Sequence, residues 1–282
     1  MRRAREFTRR GAFASGIEGA VCDADGHVYA VDYVDERPRA IGKATPQGDV
    51  SFFVSLPEGS LGCGMRAYPK SGVLFVADFA GHNVLKVDLT TGCVSVHAHE
   101  PRMYQPNDLA IRSDGTLFAS DPNWDEGVGA LWRIDPDGTA TRLEGGMGTT
   151  NGIELSPDER TLYVNETMER TVWAYDASAS GEVSGKRLLH RFDDGLLDGM
   201  RCDAAGNLYV TRYGKGAIAK LSPEGALLEE IELVGKRCTN LTFGGPDGRD
   251  CYVTVADYGA IETFRTDAPG RCWTMWREAA PS

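Results

Sequence analysis

Apolar and polar residues alternate along Ile153-Glu154-Leu155 and again along Leu162-Tyr163-Val164-Asn165, on either side of the turn-rich run Ser156-Pro157-Asp158-Glu159-Arg160. Period-two alternation interrupted by a Pro-Asp turn predicts two antiparallel strands joined as a hairpin. The same grammar returns over residues 197–210, with Asp198 standing where Asn151 stood. Six copies run along the chain, anchored at Glu18, Cys63, Asn107, Asn151, Asp198 and Asn240, with spacings of 45, 44, 44, 47 and 42 residues. Such a period predicts a repeat architecture.

Each copy has further landmarks. A glycine follows the anchor by eight residues in four copies (Gly26, Gly115, Gly206, Gly248) and by nine in the second (Gly72), marking the turn. An aromatic residue then enters the second strand: Tyr29, Phe75, Phe118, Tyr163, Tyr209 or Tyr252. A third strand is expected over residues 40–43, 83–88, 130–135, 171–176, 217–221 and 260–264. Polar turns such as Asp135-Pro136-Asp137-Gly138 lead on to a fourth. The expected fold is therefore all-β, a six-bladed β-propeller with four antiparallel strands per blade. It forms one domain over residues 1–282 and contains no helix. The ring is expected to close through its terminal strands: residues 5–14 complete the last blade and remove its open edge, with the tryptophan-rich 271–276 segment packed beside them.

Composition narrows the partners. A formal net charge of −11 speaks against nucleic acid and anionic membrane, which need a basic face, and in favour of a small molecule or a cation. The first ten residues are basic but no apolar run follows them, so neither a secretory signal nor a membrane span is expected. Seven scattered cysteines without a C-x-x-C pair suit a reduced, cytoplasmic protein better than a disulfide scaffold or structural zinc. Nothing in the sequence calls for an obligate protein partner.

The first strand of each propeller blade lines the central channel, so the six anchors are expected to form a ring. Any one of them alone is accounted for as a turn cap. Several in register place two carboxylates and three amides in a narrow channel, where they must be paired, hydrated or bound to an ion. Oxygen donors, two of them anionic, suit a hard divalent cation: calcium first, with manganese and magnesium next and zinc or iron as further alternatives. Cys63 fits packing better than ligation.

The segments Ile17-Glu18-Gly19, Pro106-Asn107-Asp108, Thr150-Asn151-Gly152-Ile153 and Leu197-Asp198-Gly199-Met200 resemble the motifs of the senescence marker protein-30/gluconolactonase family, which includes regucalcin. The resemblance runs from about Glu18 to Tyr258 and implies the same six-bladed fold. It implies that Glu18, Asn151 and Asp198 are metal ligands, and that Asn107 is a ligand or a substrate contact. Gln105 replaces an arginine that contacts sugar in animal members. The run Thr211-Arg212-Tyr213-Gly214-Lys215-Gly216 looks more like bacterial sugar lactonases.

Loops at the channel mouth are the expected place for substrate contacts. They carry Tyr33, Phe79, Asp121, Trp124, Glu166, Arg212, Tyr213, Asp257 and Tyr258. Of these, Trp124, Glu166, Arg212 and Tyr213, with Gln105 and Asn107, are the expected substrate-binding residues. Asp78 and Asp257 are expected to form turns. The resulting expectation is a metal-dependent hydrolase that opens a cyclic ester, a sugar-acid lactone, with Asp198 as general base and Asp121 in reserve. The alternatives are hydrolysis of an organophosphate or a natural product at the same site, and a non-catalytic calcium-binding propeller.

Overall fold

The computed structural model describes residues 2–33 and 39–279, the side chain of Tyr33 excepted. Six separate antiparallel sheets of four strands each follow one another around a ring. Strands Thr150–Leu155, Thr161–Glu166, Thr171–Ala177 and Val183–Arg191 form the fourth blade and show the common order, from the channel outwards. The sixth blade differs in the origin of its outer strand. Its three inner members are Cys238–Gly244, Asp250–Val255 and Ala260–Arg265, and its outer one is Arg5–Glu6 from the N-terminus. Arg5 pairs with Thr263 and Glu6 with Glu262. The ladder is shorter than residues 5–14. The chain then follows the blade through single bonds, Gly11 N–H to Tyr258 O at 2.8 Å and Phe13 N–H to Gly259 O at 3.0 Å.

Blades hold one another through their faces. Among the described residues the buried apolar side chains form six clusters, and each lies between two neighbouring blades. Phe118 and Leu131 of the third blade, for instance, pack with Ile153, Val164 and Tyr175 of the fourth. A blade covered on both faces needs second strands that are apolar throughout, and Val73–Asp78 is buried at every position. The six repeat aromatics are all buried there.

The turn after each inner strand takes a left-handed residue, a glycine in five blades (Gly26, Gly72, Gly115, Gly206, Gly248). In the fourth blade Glu159 takes that conformation, with φ of 59°. Its carboxylate accepts from Ser113 N–H at 2.8 Å and from Arg271 Nη2 at 2.8 Å.

The C-terminal segment corrects the expectation of no helix. Arg271–Ala279 is an α-helix, laid across the channel end opposite the anchors. Arg271 is buried and donates to Ile111 O at 2.9 Å, at the far end of an inner strand, while Trp276 Nε1 donates to Cys22 O at 3.0 Å. The run Arg-Cys-Trp-Thr-Met-Trp is too short to separate helical from alternating spacing, and tertiary contacts settle it. Among the described residues no helix is long and apolar enough to cross a membrane.

Between helix and anchors, the channel is filled by a buried ion cluster. Asp108 accepts from Arg66 Nη1 at 2.8 Å and Nη2 at 3.3 Å and from Leu109 N–H at 2.9 Å, with Arg201 Nη1 3.5 Å away. Removing one member of such a cluster strands the others without water. Asp108→Ala is therefore expected to destabilise the fold by about 3–5 kcal/mol, read as the midpoint of denaturant unfolding. An unchanged midpoint would show that the arginines find other acceptors.

Candidate active site

The anchors sit where the inner ladder is broken. Pairing between first and second strands skips residues between Gly62 and Met65, Thr150 and Ile153, Leu197 and Met200, and Cys238 and Leu241. These bulges contain Cys63, Asn151, Asp198 and Asn240, and they turn the side chains out of the strand alternation. Glu18 and Asn107 precede the short strands Val21–Cys22 and Leu109–Ile111.

Convergence on the axis explains the residue after the anchor. A Cβ on Gly152 would lie 2.4 Å from Asp198 O, and one on Gly199 would lie 2.3 Å from the Asn240 amide carbon. The Asn-Gly and Asp-Gly pairs are therefore a consequence of close approach between neighbouring inner strands. Asn165, fully buried on the second strand of blade four, ties two of these bulges together. Its Nδ2 donates to Asp198 O at 2.6 Å and its Oδ1 accepts Gly152 N–H at 3.1 Å.

Glu18, Cys63, Asn107, Asn151 and Asp198 line one cavity of about 300 Å³. Asn240 does not. Its Nδ2 donates to Glu18 Oε1 at 3.1 Å and its Oδ1 accepts Leu241 N–H at 2.9 Å, so its amide is spent on holding Glu18. By contrast, Asn107 Oδ1 and Asn151 Oδ1 are buried and have no hydrogen-bond partner among the described residues. An unmet buried acceptor costs about 1–3 kcal/mol.

The carboxylates are under similar strain. Burial, and next the charge of Asp108, push Glu18 up to about 8, against bonds from Gly19 N–H and Asn240. Burial, and next the charge of Glu18, raise Asp198 well above the usual carboxylate range. Burial, together with these acids, also raises the Cys63 thiol, which suits packing rather than ligation. Two crowded carboxylates and two unpartnered amide oxygens fit a hard divalent cation, which would satisfy the oxygens and reverse both shifts.

Residues 17–257 match the family described as the SMP-30/gluconolactonase/LRE-like region. The chain belongs to that family. A gluconolactonase of Zymomonas mobilis is 30% identical over 248 residues, covering 75% of this chain and 69% of that one. A pentonolactonase of Haloferax volcanii is 33% identical over 153 residues, and the match spans about half of its length, 53% of each chain. Among solved structures, the calcium-binding protein regucalcin from Agrobacterium tumefaciens has a TM-score of 0.80 at 21% identity over 96% of each chain. A luciferin-regenerating enzyme also has a TM-score of 0.80, at 23% identity, covering 94% of this chain and 96% of that one. These two show the shared fold.

Within this member of the SMP-30/gluconolactonase family, the remaining sequence-derived residues divide sharply. Trp124 and Tyr213 line the cavity with Asn107. Gln105 stands behind Trp124, its Oε1 accepting Trp124 N–H at 3.1 Å. Asp121 is fully buried and accepts from Tyr104 N–H at 3.0 Å, Gln105 N–H at 2.7 Å and Trp132 Nε1 at 2.8 Å. It is committed to the loop before Asn107 and lies outside the cavity lining, a geometry that does not support the reserve base role. Glu166 is likewise occupied, by Gly148 N–H at 2.9 Å and Thr171 Oγ1 at 3.0 Å. Arg212 is buried against Phe192 and bonded to Glu230 at 2.9 Å and Asp194 Oδ1 at 2.6 Å, so it props the loop and does not reach the cavity. Asp78 and Asp257 accept loop amides, as expected of turn formers.

Sequence reasoning missed Thr167, Met168, Leu196 and Leu197, which complete the cavity wall. Thr167 Oγ1 is buried and has no partner among the described residues. The flagged Glu166 is its neighbour, and the flagged Asp198 neighbours Leu197, but alternation alone does not say which of two adjacent residues faces inwards where a strand ends.

Asn151→Ala removes one of the partnerless oxygens while six inter-blade clusters keep the fold. It is expected to weaken divalent-cation affinity by roughly 10-fold or more, measured by calorimetric titration. Unchanged affinity would show that Asn151 is not a ligand.

Proposed function

We propose that the chain is a metal-dependent hydrolase that opens a cyclic ester, a sugar-acid lactone. The observation that carries this reading is the pair of unpartnered amide oxygens, Asn107 Oδ1 and Asn151 Oδ1, on residues sharing one cavity with Glu18 and Asp198. Glu18, Asn107, Asn151 and Asp198 would hold the cation, with calcium expected first for an all-oxygen donor set. The name of the Agrobacterium neighbour, a calcium-binding protein, agrees with that choice. When bound, the cation would supply Lewis-acid stabilisation of the negative charge that develops on the ester oxygen.

The chain's own groups supply the rest. Glu18, Asn107 and Asn151 are buried, whereas Asp198 is the least buried of the four as a residue and lines the cavity that a substrate and its attacking water would enter. The Asp198 carboxylate would accept a proton from the attacking water as that oxygen forms its bond to the ester carbon; the ring C–O bond then breaks and the proton passes to the departing ring oxygen, leaving the open hydroxy acid. Asn165 holds the Asp198 backbone, which fixes the direction of that carboxylate. Trp124, Tyr213, Leu196, Leu197 and Met168 give the cavity an apolar wall against which the less polar face of a sugar ring packs. Thr167 Oγ1 is a spare hydrogen-bonding group for a ring hydroxyl.

The test is a panel of sugar lactones and phosphotriesters. Metal-stripped protein is assayed after recharging singly with calcium, manganese, magnesium, zinc or ferrous iron. Lactone opening restored by at least one ion is the expected result. Tight cation binding with no turnover of any lactone would overturn the reading and leave a calcium-binding propeller.

A further inference from the structure

A second groove adjoins the cavity. Leu196 and Tyr213, which line the cavity, also line a groove of about 450 Å³ that contains Arg170, Asp194 and Lys215. Two of these charges cancel. Lys215 Nζ lies 3.3 Å from Asp194 Oδ1 and 2.9 Å from Glu230 Oε2, and the buried Arg212 beneath them is paired with the same two acids.

Arg170 is different. Among the described residues it forms no ion pair; its Nη1 donates to the backbone oxygen of Asp193 at 3.0 Å, and its Nε is buried without any acceptor. An unmet buried Nε is shared by the structural arginines Arg66 and Arg212; what distinguishes Arg170 is that, among the described residues, no carboxylate pairs with it and only its Nη1 is engaged.

The backbone adds a second oddity. Arg170 directly precedes the third strand of its blade and has φ of 56°, in the left-handed region. The corresponding positions in three other blades are Gly127, Gly216 and Gly259. Arg39 and His82 fill the position in the first two blades, and each ties down the following loop, through Ser60 O at 2.9 Å and Met103 O at 2.8 Å. The bond from Arg170 to Asp193 O is the same tie. What sets Arg170 apart is the remaining donor capacity, placed in a groove that shares Leu196 and Tyr213 with the candidate active site.

We propose that this groove takes an anionic substituent, a carboxylate, sulfonate or phosphate, carried by the substrate at the end remote from its lactone ring, and that Arg170 selects it. The proposal rests on the lactonase reading and narrows its substrate class. An oxyanion in the groove supplies an acceptor to Arg170 Nη2, which is not buried and which no described residue engages, and its charge faces a cation that forms no ion pair among the described residues. On a chain of net charge −11, a local cation is also what an anionic substrate requires in order to approach.

The experiment compares gluconolactone, which is neutral, with the monolactone of glucaric acid, which carries a free carboxylate, on the full chain with its activating cation. Arg170→Gly suits the backbone, since glycine fills this position in three other blades. Loss of one charge-assisted contact is expected to lower kcat/KM for the anionic lactone, relative to gluconolactone, by roughly 10-fold or more, chiefly through KM. Arg170→Lys should recover part of the selectivity. Equal losses on both lactones would mean that Arg170 only ties the loop, and no preference of the wild type for the anion would equally overturn the proposal.

If neither lactone is opened, the lactonase reading fails separately. Calorimetric binding of glucarate against gluconate then decides the groove: equal affinities for wild type and Arg170→Gly would sink it.

Discussion

Asp198→Asn is expected to lower turnover by roughly 100-fold or more, the scale of losing a general base, even at cation concentrations that restore occupancy. The substitution keeps an oxygen donor and the shape of the side chain. It removes a negative charge and the capacity to take a proton. The backbone position should survive, because it is fixed from the second strand by Asn165 Nδ2 at 2.6 Å. Two readouts separate the roles. A ligand-only Asp198 would show weaker cation binding, with turnover recovering to near normal at saturation. A base would show unrecovered kcat and a change in the acidic limb of the pH–rate profile. Recovery at saturation would send the search for the base elsewhere in the cavity wall, since Asp121 already accepts three hydrogen bonds outside it.

Stripping the protein of divalent ions is expected to cost roughly 100- to 1000-fold in activity, the scale of losing the main group that stabilises developing charge. The same operation has a thermodynamic signature. In the metal-free protein Glu18 titrates at about 8, because burial and then Asp108 disfavour its charge. Its folded-state value is raised above that of the unfolded chain. Its contribution to stability is therefore full below the ordinary carboxylate range and is lost as pH rises through about 8. Asp198 shifts in the same direction. The melting temperature of metal-free protein should fall as pH is raised across that window, and saturating cation should remove the fall.

Cation and protons compete for the same oxygens. Affinity should therefore increase with pH up to about 8, with protons released on binding. Calorimetry in buffers of different ionisation enthalpy measures that release. Binding without proton release, or a pH-independent melting temperature in metal-free protein, would show that the two carboxylates are not crowded as the geometry has them.

The period of the anchors, the turn glycines and the aromatic second strands were enough to place six blades and to bring Glu18, Asn107, Asn151 and Asp198 towards one axis. Those features are local and repeat, and each follows from alternation and turn chemistry within about 45 residues. Closure through Arg5–Glu6 was legible for a related reason: a sixth copy lacking its outer strand leaves an edge that only an unused segment can cover.

What the sequence could not specify is how each polar atom is spent. Asn240 and Asn151 occupy equivalent positions, yet Asn240 is consumed by Glu18, 222 residues away, while Asn151 Oδ1 has no partner among the described residues. Asp121, Glu166 and Arg212 have the composition of substrate contacts, and their hydrogen bonds go to loops, a tryptophan and neighbouring acids. The helix Arg271–Ala279 and the exposure of Arg170 to the groove likewise depend on packing between distant blades. A repeat fixes where a residue stands in its own blade. Only the closed ring decides which neighbour it meets across the axis, because that contact joins segments whose separation in the chain carries no pattern of its own.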